Sequence, residues 1–491
     1  MVDRGEPKAS NVHPIMLAGE PSHGTGSTLD IISPIDGSVA ATVGTAGPEQ
    51  IRRAVQAAVR VQRDWRAIAV EDRSNVLRRL ARLLDRDRDR LAAIVTDEVG
   101  KPISQAMGEV DGAIAYAELF AGIASTQGGE VLPGSGPGRE TWIRREPRGV
   151  IGAIIPWNFP LALTLRKLSP AVASGNAVIL KPAEQSPLSA LAVAELAREA
   201  GLPDGLLSVL PGNGSTVGES LVKHPDIAFV TMTGSTRAGQ AIMHNAADRI
   251  IPVSLELGGK APFIVFDDAD LDQAVEAAVA TRMMNNGQAC VCNERTFVQR
   301  SIHREFVDRY VKRTKELILG DPRDSGTDVG PKVSEAELEK VEGLVDEAVL
   351  QGATVELGGR RPEGEEFEKG FWYEPTVLTN VPADSRVMRE EIFGPVTPIV
   401  AFDGEAEAVA MSNDTEYGLS SYLYTSDMNR VMRMIDALES GEVFVNRPGP
   451  EENTGFHAGW GKSGIGGDDG LHGYELYSRR KTVYMSWDVS K

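Results

Sequence analysis

"GVIGAIIPWNFP", residues 149–160, sets a run of Val and Ile between glycines and a Pro-Trp-Asn-Phe-Pro turn. A short apolar run bounded by turn residues reads as a buried strand. Its neighbours repeat the pattern. "NAVILK" (176–181), "LLSVL" (206–210) and "IAFVTM" (227–232) read as strands, with the helices "PLSALAVAELAREA" (187–200) and "STRAGQAIMHNA" (235–246) between them. Strands alternating with helices predict an α/β fold whose parallel sheet is covered on both faces. A second series follows: "PFIVFD" (262–267), the helix "DLDQAVEAAVATRMM" (270–284), "RTFVQ" (295–299) and the helix "REFVDRYVKRTKELIL" (304–319). Upstream, residues 48–98 carry helical stripes with charged faces, as in "EQIRRAVQAAVRVQRDW" and "VLRRLARLLDRDRDRLAAIV".

A chain of 491 residues exceeds one ordinary core, so two or three domains are expected. Its 42% hydrophobic and 25% charged residues are those of a globular protein. A net charge of −19 argues against nucleic-acid partners and against docking on anionic membrane. The opening 27 residues hold no apolar core of signal-peptide length and read as a loose polar lead-in. The apolar run 150–165 is broken by Trp157-Asn158 between prolines, which disqualifies it as a membrane span. "ETWIRREP" (140–147) and "KTVYMSW" (481–487) resemble exposed edge strands seeking a partner. They are read as an oligomerisation arm, with an ordinary surface hairpin as the alternative.

"NNGQACVCNER" (285–295) contains both cysteines of the chain. Cys290 and Cys292 are too close in sequence for an unstrained disulfide, and no Cys or His nearby in sequence completes a zinc site. Small buried hydrophobes are the bland reading of both. Two unpaired thiols suit a reducing cytoplasm. No metal is expected.

Two glycine motifs need sorting. "GWGKSG" (459–464) spells a dinucleotide fingerprint, but no apolar strand leads into it and the following "IGGDDG" is not expected to open a helix. It fails as a phosphate loop too, because Phe456 stands where the first glycine belongs. "TGSTRAG" (233–239) is better placed, after a strand and before a helix. There Ser235 can cap the helix and, with the helix dipole, face a phosphate. A glycine turn that merely caps is the alternative.

Taken in order, "IPWNFP", "KPAE" (181–184), "TGSTRAG", "LELGGK" (255–260), "GQAC" (287–290) and "EEIFGPV" (390–396) resemble the NAD(P)-dependent aldehyde dehydrogenase superfamily from about residue 30 to 487. The resemblance implies a Rossmann-like NAD-binding domain (1–123 and 148–257), a second α/β catalytic domain (258–465) and a small β oligomerisation arm (124–147 and 466–491), assembled as a homodimer or homotetramer. It implies Cys290 as nucleophile, since a thiolate attacks an aldehyde at neutral pH and leaves a hydrolysable thioester. The Asn158 amide and the Cys290 backbone N–H would steady the oxyanion, each such donor being worth ~3 kcal/mol. Glu256 would be the base that activates water, with its pKa raised by the apolar "VSLELGG" setting. Lys167 matches a lysine near the active site.

For the cofactor, the resemblance points to Pro156, Trp157, Gly234, Ser235 and Leu257, with Trp157 lining the cleft and Ser235 at the pyrophosphate. Lys181 and Glu184 would contact the adenosine ribose, and Glu391 with Phe393 the nicotinamide ribose. A carboxylate at 184 repels a 2′-phosphate, so NAD is favoured over NADP. Met232 stands where the family usually has Phe.

For the substrate, Arg166 and His457 replace two aromatic tunnel residues, beside Phe159 and Val291. Two hydrogen-bond donors there suggest a small polar aldehyde of the lactaldehyde or glycolaldehyde kind. Alternatively, both could pair with neighbouring acids. "GQACVC" is similar to succinate-semialdehyde dehydrogenases, where Cys292 would be a second, redox-active thiol; aminoaldehydes are a related option. A cysteine hydrolase using Cys290 and His457, and a binding protein that has lost catalysis, are the readings from other classes. Retained Glu256 disfavours transfer of the acyl group to coenzyme A.

Overall fold

The computed structural model describes residues 12–489, and in it Val150–Ile154 lies near the middle of an eight-stranded sheet. The strand order is Gly464–Ile465, Val253–Glu256, Ile227–Thr233, Val150–Ile154, Ala177–Lys181, Leu207–Val209, Ile15–Leu17 and Glu20–Ser22. The five middle strands run parallel. Residues 150–154 pair in register with 177–181. The helix Pro160–Ala173 beside this sheet is buried along its whole length. The helices Pro48–Trp65, Val70–Arg86 and Arg88–Val99 follow the stripes read above.

A second, seven-stranded sheet has the order Thr354–Leu357, Thr376–Thr379, Val396–Phe402, Asn293–Gln299, Ala261–Val265, Ser420–Tyr424 and Glu442–Val445. It is parallel except at its first pair. A third sheet joins Ser478–Ser486, Arg139–Pro147 and Gly129–Pro133 in antiparallel order, with Val131 and Tyr484 exposed. Of the two stretches read as edge strands, Ser478–Ser486 is an edge, whereas Arg139–Pro147 is the middle strand, paired with it on one side and with Gly129–Pro133 on the other. The helix Ile103–Thr126 crosses the expected boundary at 123/124. Gly464–Ile465, expected in the catalytic domain, pairs with Leu255 and Glu256 of the first sheet.

Two expectations are corrected. The lead-in is not loose where it is described: residues 12–22 form three short strands, and Ile15, Met16 and Leu17 are buried against the first sheet. Its first eleven residues lie outside the described residues. "IGGDDG" does open a helix, Gly470–Leu476, at its last glycine. That glycine has φ +53°, a left-handed value that glycine adopts without a Cβ penalty. "GWGKSG" itself contributes only two-residue strands, Trp460–Gly461 and Gly464–Ile465.

Candidate active site

The turn after Val150–Ile154, at the carboxyl end of its strand where open α/β sheets bind ligands, meets the loop that leads into the amino end of Asn293–Gln299. Asn158 Nδ2 donates to the Gln288 carbonyl (3.1 Å), and Asn285 Nδ2 donates to the Asn158 carbonyl (2.9 Å). The "NNG" preceding Gln288 is a run of three left-handed residues, with φ of +50°, +59° and +77°. Asn and Gly tolerate this conformation best. A Cβ at Gly287 would sit 2.2 Å from the Gly394 backbone, so glycine is required there on two counts. Asn286 fixes the loop by donating to the Gly100 and Pro331 carbonyls (both 2.9 Å).

The helix after Asn158 is anchored from another element. Leu161 and Ala162 N–H groups donate to Glu109 Oε1 (2.8 and 3.2 Å), which supplies an acceptor that a helix N-terminus lacks internally. Glu109 also pairs with buried Lys101, whose ammonium lies 3.6 Å from the centre of the Phe159 ring.

Cys290 lies half-buried on the wall of a cavity of about 790 Å³ that it shares with Phe159, Arg166, Val291, Glu451 and His457. Cys292 is fully buried and points elsewhere, with its sulfur 3.8 Å from the Arg282 carbonyl oxygen and its pKa pushed up to about 12 by burial. It behaves as the small buried hydrophobe.

Glu256 ends its strand with both carboxylate oxygens buried and without a hydrogen-bond partner among the described residues. Burial pushes its pKa up to about 8, against the pull of His457. His457 Nε2 is 3.6 Å from Glu256 Oε2, and Nδ1 is 3.1 Å from Glu442 Oε2 and 3.7 Å from Glu451 Oε1. The ring lines the same cavity as Cys290, and burial pushes the Cys290 thiol pKa up. No histidine stood near the cysteines in sequence; the fold supplies one from 167 positions away, through the backbone pairing of His457 with Asp468.

Arg166 and Lys167 do pair with acids. Arg166 grips Asp469 through Nε (2.8 Å) and Nη2 and reaches Glu451 (3.2 Å), while Lys167 pairs with Asp468 (2.5 Å). Arg166 still faces the cavity; Lys167 is fully buried beneath it.

The residues expected at the cofactor are not among those lining the cavity at Cys290. Gly234 N–H donates to the Glu256 carbonyl (2.9 Å), and Leu257 N–H to Ser463 (2.8 Å). Ser235 caps its helix, accepting from Ala238 N–H (3.3 Å). Trp157, next to Pro156, packs edge-on against Phe393 with ring centres 5.4 Å apart. Phe393 holds φ +57°, pinned by its N–H to Glu294 (3.1 Å) and by the Lys332 ammonium on its carbonyl. Glu391 accepts from Gly259 N–H (2.9 Å), and burial beside Glu294 pushes its pKa up to about 7. Lys181 is buried, which lowers its pKa to about 8, and among the described residues its ammonium donates to the Pro182 carbonyl (2.9 Å). Glu184 accepts from Gly214 N–H (3.1 Å).

The sequence reading did not single out Glu442, Glu451, Asp468, Asp469, Glu109 or Lys332. Only the two adjacent aspartates in a glycine-rich loop offered a signal.

The family model of the aldehyde dehydrogenase family matches residues 22–483. The chain belongs to that family, and the fold described above is the aldehyde dehydrogenase fold. Among relatives, a 3,6-anhydro-alpha-L-galactose dehydrogenase of Streptomyces coelicolor is 53% identical over 94% of both chains. A lactaldehyde dehydrogenase of Escherichia coli is 40% identical over 96% of this chain and 98% of that one. A solved 3,6-anhydro-L-galactose dehydrogenase in complex with NAP (NADP) superposes with a TM-score of 0.94 at 41% identity, covering 97% of this chain and all of the other. The protein is an oxidoreductase of aldehydes that works with a nicotinamide dinucleotide.

Proposed function

We propose that the enzyme oxidises a neutral, hydroxylated aldehyde, of lactaldehyde type up to the size of an anhydro-sugar, to its carboxylic acid. The observation carrying this reading is the cavity at Cys290, roomy for a sugar and walled by His457, Arg166, Glu451, Glu452 and Asn453. The Streptomyces coelicolor relative points the same way. A distal carboxylate, as in succinate semialdehyde, is disfavoured because Arg166 is already committed to Asp469 and Glu451. An amino group opposite Glu451 and Glu452 is the second reading.

Cys290 Sγ attacks the aldehyde carbon, and the Cys290 N–H and the Asn158 amide hold the resulting oxyanion. Bound nicotinamide dinucleotide supplies the hydride acceptor. Glu256 then takes a proton from water as it attacks the thioester carbonyl, and the acid leaves as the Cys290 thiolate is restored. Lys167 acts from below, holding Asp468. The cofactor's groups find matching donors: two of the three Lys181 N–H bonds are left for ribose hydroxyls, Ser235 stands at a helix N-terminus, and Glu391 with Phe393 and Trp157 forms a rigid wall. Glu184 favours NAD over NADP.

The two large sheets would be cofactor and catalytic domains, divided near residue 257, and the third sheet an arm that joins copies into a dimer or tetramer. No helix among the described residues is long and apolar enough to cross a membrane; with two free thiols, the cytoplasm is the proposed compartment.

The test is NADH and NADPH formation at 340 nm with 3,6-anhydro-galactose, lactaldehyde, glycolaldehyde, succinate semialdehyde, aminobutyraldehyde and propanal. Highest kcat/KM for a hydroxylated, uncharged aldehyde supports the reading. Preference for succinate semialdehyde or propanal sinks it.

A further inference from the structure

We propose that Lys332 is a positioning residue for hydride transfer: through the Phe393 carbonyl it holds the nicotinamide-ribose wall in fixed register with the loop that carries Cys290. The inference rests on Glu391 and Phe393 meeting that ribose, as proposed above, and adds the group that sets where they stand.

Five lysines are buried among the described residues. Lys101, Lys167 and Lys260 each face a carboxylate, on Glu109, Asp468 and Glu294. The two with no carboxylate in ion-pair reach among the described residues are Lys181, expected at the adenosine ribose, and Lys332. A buried ammonium without a counter-ion is a cost to the fold. Burial accordingly lowers the Lys332 pKa to about 7, with Glu337 opposing. The side chain gives its ammonium to a main-chain carbonyl, that of Phe393.

Phe393 is a place where such a donor matters. A left-handed φ of +57° is unfavourable for an aromatic residue and lasts only where the surroundings over-determine it. Its N–H is held by Glu294 at 3.1 Å and its carbonyl by Lys332, so the peptide units on both sides of the residue are fixed. Its neighbours are bound likewise: Ile392 N–H donates to Glu294 (2.7 Å), and Arg282 Nε donates to the Gly394 carbonyl (2.9 Å).

The segment that carries Lys332 is itself bolted to the nucleophile loop. Gly330 N–H donates to Asn286 Oδ1 (2.7 Å), Asn286 Nδ2 to the Pro331 carbonyl (2.9 Å), and Val333 N–H to Gln288 Oε1 (3.0 Å). Lys332 lies between these bonds and reaches to the wall. It thus links residues 286–288, which lead into Cys290, with Phe393 and Glu391. Hydride transfer is sensitive to such a link, because a misplacement of ~1 Å costs on the order of 100-fold in rate.

The test is Lys332→Met, which keeps the bulk of the side chain and removes the donor and the charge. Because the variant also loses an uncompensated buried ammonium, its melting temperature is expected to stay at or above that of wild type. Its Kd for NAD, followed by fluorescence titration, should rise by at least ~5-fold, and single-turnover NADH formation should slow by at least ~10-fold. Hydrolysis of p-nitrophenyl acetate at Cys290 needs no cofactor and should stay within about twofold, since the three bonds to the nucleophile loop come from the main chain of 330–333. In a Glu391→Gln background, adding Lys332→Met should raise Kd by less than it does alone, because both act on the same ribose contact.

An unchanged Kd for NAD or an unchanged rate of NADH formation in Lys332→Met overturns the proposal, and so do fully additive effects of the two substitutions. Loss of ester hydrolysis in step with NADH formation also overturns it, since Lys332 is then a structural residue. If the Met variant does not fold, Lys332→Gln is held to the same criteria. Failure of the underlying reading looks different: Glu391→Gln alone would then leave the Kd for NAD unchanged, whatever Lys332 does.

Discussion

Arg166 and Asp469, 303 residues apart in sequence, form a two-pronged ion pair that ties the arginine on the cavity wall to the loop behind it. Both side chains are almost completely buried, with 5% and 0% of the surface exposed. Removing one partner of such a pair leaves an uncompensated charge in a low-dielectric site. Arg166→Leu is therefore expected to cost about 3–5 kcal/mol of stability in urea denaturation. Arg166→Leu with Asp469→Leu should recover most of that loss. In the single variant, KM for hydroxylated aldehydes should rise more than KM for propanal. Equal losses for all aldehydes would make Arg166 a structural residue only.

Cys290→Ala should abolish aldehyde oxidation and leave NAD binding, followed by fluorescence titration, unchanged. Retained turnover would remove the thiol from the mechanism.

Glu256 acts as base only when deprotonated, and its pKa of about 8 sets where that happens. The steady-state rate limited by thioester hydrolysis should rise with pH and level off above about 8. Glu256→Gln should release one burst of NADH and then stall, with no such rise. The same shift carries a stability sign. A carboxyl whose folded pKa is raised binds its proton more tightly when folded, so stability falls as pH climbs from the unfolded value near 4.5 to about 8. Glu256→Gln lacks that loss. Its stability relative to wild type should therefore grow from pH 5 to pH 8 and stay constant above. A difference that does not change with pH would contradict the burial of a charged Glu256.

The strands and helices around Val150–Ile154 and Ala261–Val265 were legible because their Val and Ile runs are bounded by Gly, Pro and charged helical faces. Ile15–Leu17 was not, because three residues carry no period and are made a strand only by pairing at the far edge of the sheet. The site divides the same way. Cys290, Glu256 and Asn158 sit in compact motifs that point to a site only when taken together; alone, Glu256 reads as a strand-edge carboxylate and Asn158 as a turn residue. Glu442, Glu451 and Asp468 become part of the site only because the chain folds His457, Arg166 and Lys167 against them. In sequence each is an ordinary acid, and its partner lies on another element. "NNGQ" belongs to both classes: its residue types announce unusual backbone, while the crowding by Gly394 that demands it is tertiary.

In the proposed reading, the preference for NAD rests on the Glu184 carboxylate, which accepts from Gly214 N–H. Glu184→Ser removes the repulsion of a 2′-phosphate and one ribose acceptor. The ratio of kcat/KM for NAD to that for NADP should fall by about tenfold, equivalent to ~1.4 kcal/mol. A ratio that does not move would place the preference elsewhere in the cleft.

Glu109 serves two masters, and the two can be separated. It accepts from the Leu161 and Ala162 N–H groups at the start of the helix that follows Asn158, and it neutralises Lys101 under Phe159. Glu109→Gln keeps a carbonyl acceptor for the helix but strips the charge from the ion pair. Glu109→Ala removes both and should cost more, by the ~1 kcal/mol typical of a lost helix cap. Adding Lys101→Met to either variant removes the stranded ammonium and should restore most of the lost stability. It cannot restore the cap, so in Lys101→Met with Glu109→Ala the Asn158–Phe159 turn stays unanchored and kcat should remain below that of Lys101→Met with Glu109→Gln. Equal kcat in the two double variants would show that the helix start positions Asn158 without help from Glu109.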